Sequence, residues 1–359
     1  MRILQLIDSL RPGGAEQMAV SYANAFSEES VDSHLCCSRL EGSLKKKINN
    51  KKNYIFLNRQ STFDLKAIIK LRRYIKNNKI DLIQAHGSSY FLGVLIKIII
   101  PKTKLIWHDH LGARALNNKD LGFLKIASKF FDGIIVVNHD LYEWTKKNLL
   151  CGNLLLLKNF VKLGKTNSTD FYLKGKSDFN IICVANLRHP KDHSTLIKAF
   201  SLLDHKKFSL SLHLVGDDSD KHYTAKLIRL IEVYNLQNNV FIYGQKGNIK
   251  SILNHASIGV LSSSSEGLPV ALLEYGLAGL PVVCTNVGDC KDVIGNFGKV
   301  VEKGNPDAFA ANIAEYLLHP EEMKKDGLNF QNRIIDNYSG KKSMPLVIEF
   351  FRSILNRDK

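Results

Sequence analysis

The sequence lacks the patterns typical of disulfide-rich, zinc-binding, secreted or membrane-spanning proteins. Its six cysteines are scattered, without a CxxC pair or a histidine spacing that would form a zinc site, so we expect a reduced cytoplasmic protein. The most apolar run, residues 91–100, contains Lys97 and is well short of the roughly 20 residues that cross a bilayer. The apolar amino terminus runs at once into Arg-Pro-Gly-Gly at residues 11–14, which disfavours a cleaved signal peptide.

Motifs typical of dinucleotide binding and of nucleic-acid binding are also missing. A GxGxxG dinucleotide fingerprint does not occur, because Gly276 and Gly279 have the wrong spacing and Gly13-Gly14 is not followed by the later glycine. This disfavours a nicotinamide-dependent dehydrogenase. There is no RNP-type aromatic motif and no zinc-finger spacing, so we expect no nucleic-acid partner.

Positive charge is present in excess and is unevenly distributed. The net charge is +16, and residues 1–165 hold 27 lysines and arginines against 13 aspartates and glutamates. Such a surface attracts anionic lipid, phosphorylated substrates or nucleic acid, or is simply a solvated lysine-rich face. Residues 65–76 place apolar side chains on one helical stripe and cations on the other, which favours contact with an anionic membrane surface.

Short β-branched runs alternate with helical patterns along the chain, which predicts an α/β fold of two doubly wound, Rossmann-like parallel sheets. We predict an acceptor-binding domain over 1–165, a polar linker over 166–178 and a nucleotide-sugar-binding domain over 179–338. An amphipathic C-terminal helix within 339–359 is expected to pack across both domains. Two such domains would face a cleft, where ligands meet the carboxyl ends of the strands.

The most informative segment follows the predicted strand at residues 258–261. Four serines lead into Glu266, Gly267, Leu268 and Pro269, and helical periodicity begins at Val270, so we expect Pro269 in the first turn of that helix. Free N–H groups at a helix start bind a diphosphate, and a glycine lets the phosphates approach closely.

Two carboxylates flank this predicted phosphate site. Glu274 lies within the predicted helix and Glu266 lies in the loop, where each side chain would accept hydrogen bonds from sugar or ribose hydroxyls. The alternative is that both are ordinary surface acids.

Residues 266–283, EGLPVALLEYGLAGLPVV, resemble the signature of the family-4 retaining glycosyltransferases with the GT-B fold. The resemblance implies that Glu274 binds the nucleotide ribose and that Glu266 lies beside the donor sugar. It continues through residues 184–191, where Arg188 and Lys191 are expected to neutralise the donor diphosphate. The family's usual arginine aligns with Asn186, so Lys191 is the more secure of the two assignments.

The first domain contributes further candidates. Gly13 and Gly14 resemble the loop that follows the family's first strand and passes close to the donor phosphates, although they also suit a tight strand-to-helix turn. His86, His108 and His110 follow predicted strands, and His110 best matches a family position that orients the sugar. Each histidine has a structural role as its alternative. The Asp217–Asp220 DxD-like run resembles a metal motif of another glycosyltransferase class, and we expect no metal there.

The expected function is therefore a retaining glycosyltransferase of the hexosyltransferase type. It would move a sugar from a nucleotide diphosphate donor to an acceptor hydroxyl in surface polysaccharide or lipopolysaccharide assembly. We expect no cofactor beyond the nucleotide-sugar co-substrate, no required metal, and catalytic roles for Glu266, His110 and Lys191. The expected acceptor is lipid-linked or an anionic glycan, met by a cytoplasmic protein at the inner face of the plasma membrane. The alternatives are a nucleotide-sugar epimerase or phosphorylase of the same fold, and a non-catalytic sugar-nucleotide-binding scaffold.

Overall fold

The computed structural model describes residues 1–111, 114, 121–161, 172–175 and 177–357. These residues form two compact units, one comprising Met1–Lys162 with Gly340–Lys359 and the other Leu163–Ser339. Each unit contains one parallel sheet with helices, which confirms the predicted α/β class. The predicted linker over 166–178 lies largely outside the described residues, so the predicted domain boundaries stay predictions.

The first unit is built on a seven-stranded parallel sheet. Its strands are β1 (Arg2–Ser9), β2 (Asp32–Leu40), β3 (Tyr54–Phe56), β4 (Leu82–His86), β5 (Lys104–Asp109), β6 (Gly133–Val136) and β7 (Leu154–Leu156). Its helices include α1 (Gly14–Glu28), α2 (Leu65–Asn77), α3 (Tyr90–Ile99), α4 (Leu121–Ala127) and α5 (His139–Asn148). The strand order β3-β2-β1-β4-β5-β6-β7 reverses direction between β1 and β4.

The second unit repeats the same winding with six parallel strands. The strands are β8 (Phe179–Val184), β9 (Leu210–Val215), β10 (Val240–Ile242), β11 (Ile258–Leu261), β12 (Val282–Thr285) and β13 (Lys299–Val301). The helices are α6 (His193–Ser201), α7 (Lys221–Val233), α8 (Ile249–Leu253), α9 (Val270–Leu277), α10 (Cys290–Ile294), α11 (Pro306–Leu318) and α12 (Pro320–Tyr338). The order β10-β9-β8-β11-β12-β13 reverses between β8 and β11.

Local sequence explains why these elements form. The strands β4 and β9 are buried along their whole length, as expected for parallel strands covered by helices on both faces. Side-chain oxygens of Asp64, Asn138, Asp192, Asp220 and Asn305 accept hydrogen bonds from the first turns of α2, α5, α6, α7 and α11. Each of these caps satisfies an N–H group that the helix itself leaves without a partner.

The last helix, α13 (Gly340–Asn356), belongs to the first unit. The fully buried Phe351 ring lies 5.6 Å from the Phe26 ring of α1, measured between centroids. The Gly340 N–H donates to the Val161 carbonyl at 3.2 Å, which fixes the point where the chain re-enters this unit. Burial of one phenylalanine contributes about 1.5–3 kcal/mol, so this helix is part of the first unit's core.

Among the described residues, no helix combines the length and the apolar composition needed to cross a membrane.

Candidate functional site

The strand order places two loops of the second unit side by side. Open parallel sheets bind ligands beyond the carboxyl ends of the strands, at the point where the winding reverses. In this unit that point lies between β8 and β11, which pair through Ile181 with Ile258. The loop of residues 185–192 follows β8 and the loop of residues 262–269 follows β11. The residues predicted to bind the donor therefore lie in neighbouring loops.

Lys191 and Glu266 form an ion pair that joins the two loops. The Lys191 ammonium nitrogen lies 2.5 Å from Glu266 Oε1, and the Ser263 hydroxyl donates to the same oxygen at 2.6 Å. The Lys191 and Glu266 side chains are 24% and 9% exposed, so solvent screens the pair only in part. A carboxylate held by two donors keeps a fixed orientation, while the ammonium group retains hydrogen-bonding capacity for a further anion.

Backbone contacts hold the same two loops together. The Ser264 N–H donates to the Pro190 carbonyl at 2.8 Å, and the Ser262 hydroxyl donates to the Lys191 carbonyl at 3.0 Å. The Thr285 hydroxyl, at the end of β12, donates to the Ser263 carbonyl at 2.6 Å. These three hydrogen bonds therefore hold the serine-rich segment, residues 262–265, in a fixed position.

Gly267 and Gly288 meet on the other side of this loop. Gly288 has a φ of +51°, and a Cβ atom there would collide with the carbonyl oxygens of Glu266 and Gly267. The Asp289 N–H donates to the Gly267 carbonyl at 3.0 Å. Only glycine combines this left-handed backbone with such a close approach, so residue 288 shapes the loop that carries Glu266.

The helix α9 begins at Val270, where the sequence places the start of helical periodicity, but Pro269 lies outside it. Pro269 is its N-cap residue, with extended backbone angles, instead of the first residue of the helix. The prediction that Pro269 lies in the first turn is therefore wrong by one position. No side chain among the described residues caps this N-terminus, although the Leu272 N–H reaches the Pro269 carbonyl at 3.2 Å. The positive end of the helix macrodipole suits an anion placed beside Gly267 and Leu268.

Tyr275 fixes α9 to the sheet, a role that the sequence did not reveal. Its hydroxyl accepts a hydrogen bond from the Val184 N–H at 2.6 Å and donates to the Val260 carbonyl at 3.2 Å. The ring is fully buried over Gly259, where a side chain would collide with it. Glu274, the preceding residue, is partly buried on the same helix, and its placement depends on this anchor.

Asn186 and Arg188 differ in their surroundings. The Asn186 side-chain oxygen accepts a hydrogen bond from the Asp217 N–H at 3.1 Å, so this residue links the loops after β8 and β9. Arg188 is exposed and forms no ion pair with any other described residue. The structure thus brings Lys191 to Glu266 but leaves Arg188 apart from that pair.

The three aspartates that follow β9 all contact groups close to them in sequence. Asp217 accepts from the Ser219 hydroxyl at 2.6 Å, and Asp218 lies 3.6 Å from the Lys221 ammonium group. Asp220 caps α7 by accepting from the Tyr223 N–H. These contacts account for the three carboxylates as loop and helix-capping groups.

In the first unit, the predicted residues lie at or just beyond the carboxyl ends of β1, β4 and β5. Gly13 is the N-cap residue of α1, which begins at Gly14, so the predicted glycine loop is also a strand-to-helix turn. Gly13 has extended backbone angles. Its close neighbour is the Glu16 carboxylate, which occupies the space a side chain would need.

Three histidine rings lie together in this unit, with His86 and His108 buried and His110 partly buried. His86 Nε2 lies 2.7 Å from Gln5 Oε1, an acceptor, so this nitrogen carries the proton. His86 Nδ1 then accepts from His110 Nε2 at 3.0 Å. The His108 ring stacks on His110 with centroids 4.0 Å apart, and its Nδ1 lies 2.9 Å from Gln84 Nε2.

Burial determines the charge of this histidine group. Desolvation lowers the pKa of His110 to about 3 and lowers the pKa values of His86 and His108 well below the usual value. All three imidazoles are neutral at pH 7. Their nearest nitrogen atoms lie within 4.8 Å of one another, close enough to suggest a metal. However, both nitrogens of His86 are already engaged, one with Gln5 and the other with His110, and His108 presents its ring face to His110.

Asp109 lies beside this group and has a separate partner. Its carboxylate accepts from Arg114 Nε at 2.8 Å and from the Leu111 N–H at 3.1 Å. Burial raises the pKa of Asp109, while the Arg114 guanidinium opposes that shift. Asp109 therefore serves the local structure of the segment that follows β5.

Comparisons with known proteins match both units. The profile described as Glycosyl transferases group 1 matches residues 165–333, and the profile described as Glycosyltransferase Family 4 matches residues 12–161. The amylovoran biosynthesis glycosyltransferase AmsD of Erwinia amylovora is 24% identical, with 99% of each chain aligned.

A Campylobacter jejuni relative is 22% identical over 92% of each chain. Its name is GalNAc-alpha-(1->4)-GalNAc-alpha-(1->3)-diNAcBac-PP-undecaprenol alpha-1,4-N-acetyl-D-galactosaminyltransferase. Among solved structures, Anabaena HepE in complex with UDP and glucose has a TM-score of 0.81 and 18% identity. That match covers 98% of this chain and 100% of the HepE chain, which shows that the two share a fold.

Proposed function

Because the chain belongs to the family-4 type glycosyltransferases with the GT-B fold, we propose that it transfers a sugar from a nucleotide diphosphate donor to an acceptor hydroxyl. The observation that carries this proposal is the Lys191–Glu266 pair, held in adjacent loops directly before the N-terminus of α9. This arrangement combines a cation, an oriented carboxylate and free helix N–H groups, which a sugar diphosphate requires together.

The second unit is proposed to bind the donor. The diphosphate would lie over Gly267, Leu268 and Pro269, at the start of α9, with Lys191 and the exposed Arg188 as its cations. Glu266 would accept hydrogen bonds from the donor sugar, and Glu274, farther along α9, from the ribose. The UDP and glucose bound in HepE support a nucleotide-sugar donor for a chain of this fold.

We propose that the reaction retains the anomeric configuration. The bond from the anomeric carbon to the departing diphosphate breaks while a bond to the acceptor oxygen forms on the same face. The acceptor hydroxyl gives its proton to an oxygen of the leaving phosphate. The chain's contribution is to hold the diphosphate and stabilise the charge that develops on it, chiefly through Lys191 and the α9 N-terminus. No metal is required in this scheme, so transfer should persist in EDTA.

The first unit is proposed to bind the acceptor. Neutral His110 would orient the reacting sugar. Gly13 and Gly14, at the start of α1, would instead offer backbone N–H groups to the donor phosphates. The positive charge of residues 1–165 favours an anionic or lipid-linked acceptor. The diphosphate-undecaprenol in the name of the Campylobacter relative supports an acceptor of this kind, at the cytoplasmic face of the membrane. We place the activity in surface polysaccharide or lipopolysaccharide assembly.

Transfer can be tested with radiolabelled nucleotide sugars and a total lipid extract. We expect one donor to label a lipid-soluble product, and E266Q to abolish labelling. The matched control is E232Q, an exposed glutamate on α7, which should leave labelling unchanged. Absence of labelled product with every donor, from protein that unfolds cooperatively and binds UDP, would refute the transferase assignment for this chain.

The same experiment separates the alternatives. A transferase releases nucleoside diphosphate only when acceptor is present, whereas an epimerase interconverts donor sugars without acceptor. A phosphorylase would require inorganic phosphate. A non-catalytic scaffold would bind UDP but would turn over no donor, in wild type as in E266Q.

A further inference from the structure

The amphipathic pattern of α2 is explained mainly by folding. Its apolar stripe consists of Ala67, Ile68, Leu71 and Ile75, all buried within the first unit. The stripe that the sequence assigned to a membrane is therefore part of the protein core. Any membrane-binding surface must consist of apolar side chains that remain exposed after α2 has packed.

Such side chains occur around the start of α2 and on α4. Phe63 and Leu65 are 67% and 70% exposed, and Phe123 and Ile126 are 51% and 60% exposed. They form two pairs in sequence, one before α3 and the other after it. Large apolar groups exposed to this degree are unusual when they occur together, and they commonly mark an interaction site.

A chain of aromatic rings connects the two regions. The Phe63 ring lies 5.6 Å from the Phe91 ring of α3, in an edge-to-face arrangement. The Phe91 ring lies 5.6 Å from Phe123, again between centroids. Phe91 thus links the exposed groups at the start of α2 to those on α4. We define the aromatic face as these three rings with their exposed neighbours: Phe63, Leu65, Phe91, Phe123 and Ile126.

Cations lie next to the aromatic face. Lys66 follows Leu65 directly, Lys125 precedes Ile126, and Lys129 lies one helical turn beyond Lys125. All three are exposed, and none forms an ion pair with another residue of the described ranges. The acid nearest to Lys66 in sequence, Asp64, caps α2 through the Ala67 N–H. The acid nearest to Lys129, Asp132, is paired with Lys97 and Lys104.

We propose that the aromatic face docks on an anionic lipid surface. Phenylalanine, leucine and isoleucine side chains would enter the boundary between headgroups and acyl chains, and the adjacent lysines would meet the lipid phosphates. The charge complementarity selects a lipid over an apolar protein partner, because exposed cations that pair with no acid of the described residues would be poorly matched by an apolar groove. This inference is independent of the proposed transfer reaction, since docking requires neither donor nor acceptor.

Vesicle sedimentation tests the proposal with the full chain. Phosphatidylcholine vesicles are compared with vesicles in which phosphatidylglycerol replaces part of the phosphatidylcholine. We expect wild type to sediment with the anionic vesicles only, and to be released by salt. F63S/F123S should bind about tenfold or more weakly, because it removes most of the inserted apolar area. K66Q/K125Q should bind more weakly and lose most of its salt dependence.

The matched control is I228S/L328S, which removes two exposed apolar side chains from the second unit, 46% and 59% exposed. It should sediment like wild type. Thermal unfolding and UDP binding of each variant report separately on the fold and on the donor site. Preserved UDP binding with lost sedimentation supports the proposal even if no transfer activity is found.

Fluorescence gives a second measurement that does not depend on a disruptive change. The two native tryptophans, Trp107 and Trp144, are buried, so F63W introduces an exposed reporter at the aromatic face. Its emission should shift to the blue on addition of anionic vesicles. Three results would overturn the proposal: no sedimentation of wild type at low salt, equal sedimentation of F63S/F123S and wild type, or an unshifted F63W emission in sedimenting protein.

Discussion

Replacement of Lys191 by glutamine distinguishes donor binding from a purely structural ion pair. In the free protein the ammonium group lies 2.5 Å from Glu266 Oε1. A hydrogen bond from Lys191 to the charged diphosphate would contribute about 1.5–3 kcal/mol to UDP binding. Part of this gain is offset, because Lys191 must loosen its contact with Glu266 when the diphosphate binds. We therefore expect K191Q to lose about 1–2 kcal/mol of UDP binding, which is roughly a 5–30-fold weaker Kd.

The stability of K191Q should also fall, but modestly. The pair is partly buried, so its loss should cost about 1–2 kcal/mol of unfolding free energy, between the values for exposed and fully buried pairs. E266Q should behave differently towards UDP. It removes the charge that competes for Lys191, so UDP should bind as well as or better than in wild type, while sugar transfer is lost.

Isothermal titration with UDP measures both variants, and K198Q is the matched control. Lys198 is an exposed lysine on α6, the helix that follows the Lys191 loop, so its replacement should leave the Kd unchanged. An unchanged UDP Kd in K191Q, together with lower stability, would show that Lys191 only braces the loop. That outcome would refute its assignment as a diphosphate ligand.

Three further predictions concern residues that hold the two candidate sites in place. Y275F leaves the buried Val184 N–H and Val260 carbonyl without their partner, so urea unfolding should show a loss of about 2–4 kcal/mol. G288A should weaken UDP binding and lower the melting temperature, because a Cβ atom at φ +51° collides with the preceding loop. The buried histidine group, neutral when folded, should make stability fall as pH drops below about 6.5, and H110F should reduce that slope by about 1.4 kcal/mol per pH unit.

The direction of the last effect follows from proton binding. Each buried histidine has a folded pKa below its unfolded value, so the unfolded chain binds more protons between those two values. The stability that neutral histidines contribute is complete above the unfolded pKa and is lost as pH falls towards the folded pKa. Equal stability of wild type at pH 7.5 and pH 5 would show that these side chains are not buried as the structure describes.

The parallel sheets could be predicted because their signal is local. Short buried runs alternate with helical periods, and a strand, a helix and a parallel strand form one right-handed unit. The loop after residue 261 was also predictable, since its glycine, proline and glutamates are contiguous in sequence. The place of Pro269 was not predictable to one residue: it is the N-cap of α9 and not its first residue, and proline at either position gives nearly the same sequence pattern.

Contacts between distant segments could not be predicted in the same way. Lys191 and Glu266 are 75 residues apart, and their contact depends on β8 lying next to β11. Tyr275 gives only an apolar signal in sequence, although its hydroxyl joins both strands. Gly288 is one of 24 glycines, and only the fold shows that its neighbour is the Glu266 loop.

The helix α2 shows why amphipathicity alone does not identify a membrane-binding element. An apolar stripe opposite a cationic one is equally suited to a protein core and to a bilayer, since both remove the stripe from water. In this chain Ile68 and Leu71 are buried by the protein itself, whereas Phe63 and Leu65, at the end of the helix, remain exposed. Only the exposed groups have free energy still to gain from a lipid surface. Sedimentation of L65S should therefore fall with that of F63S.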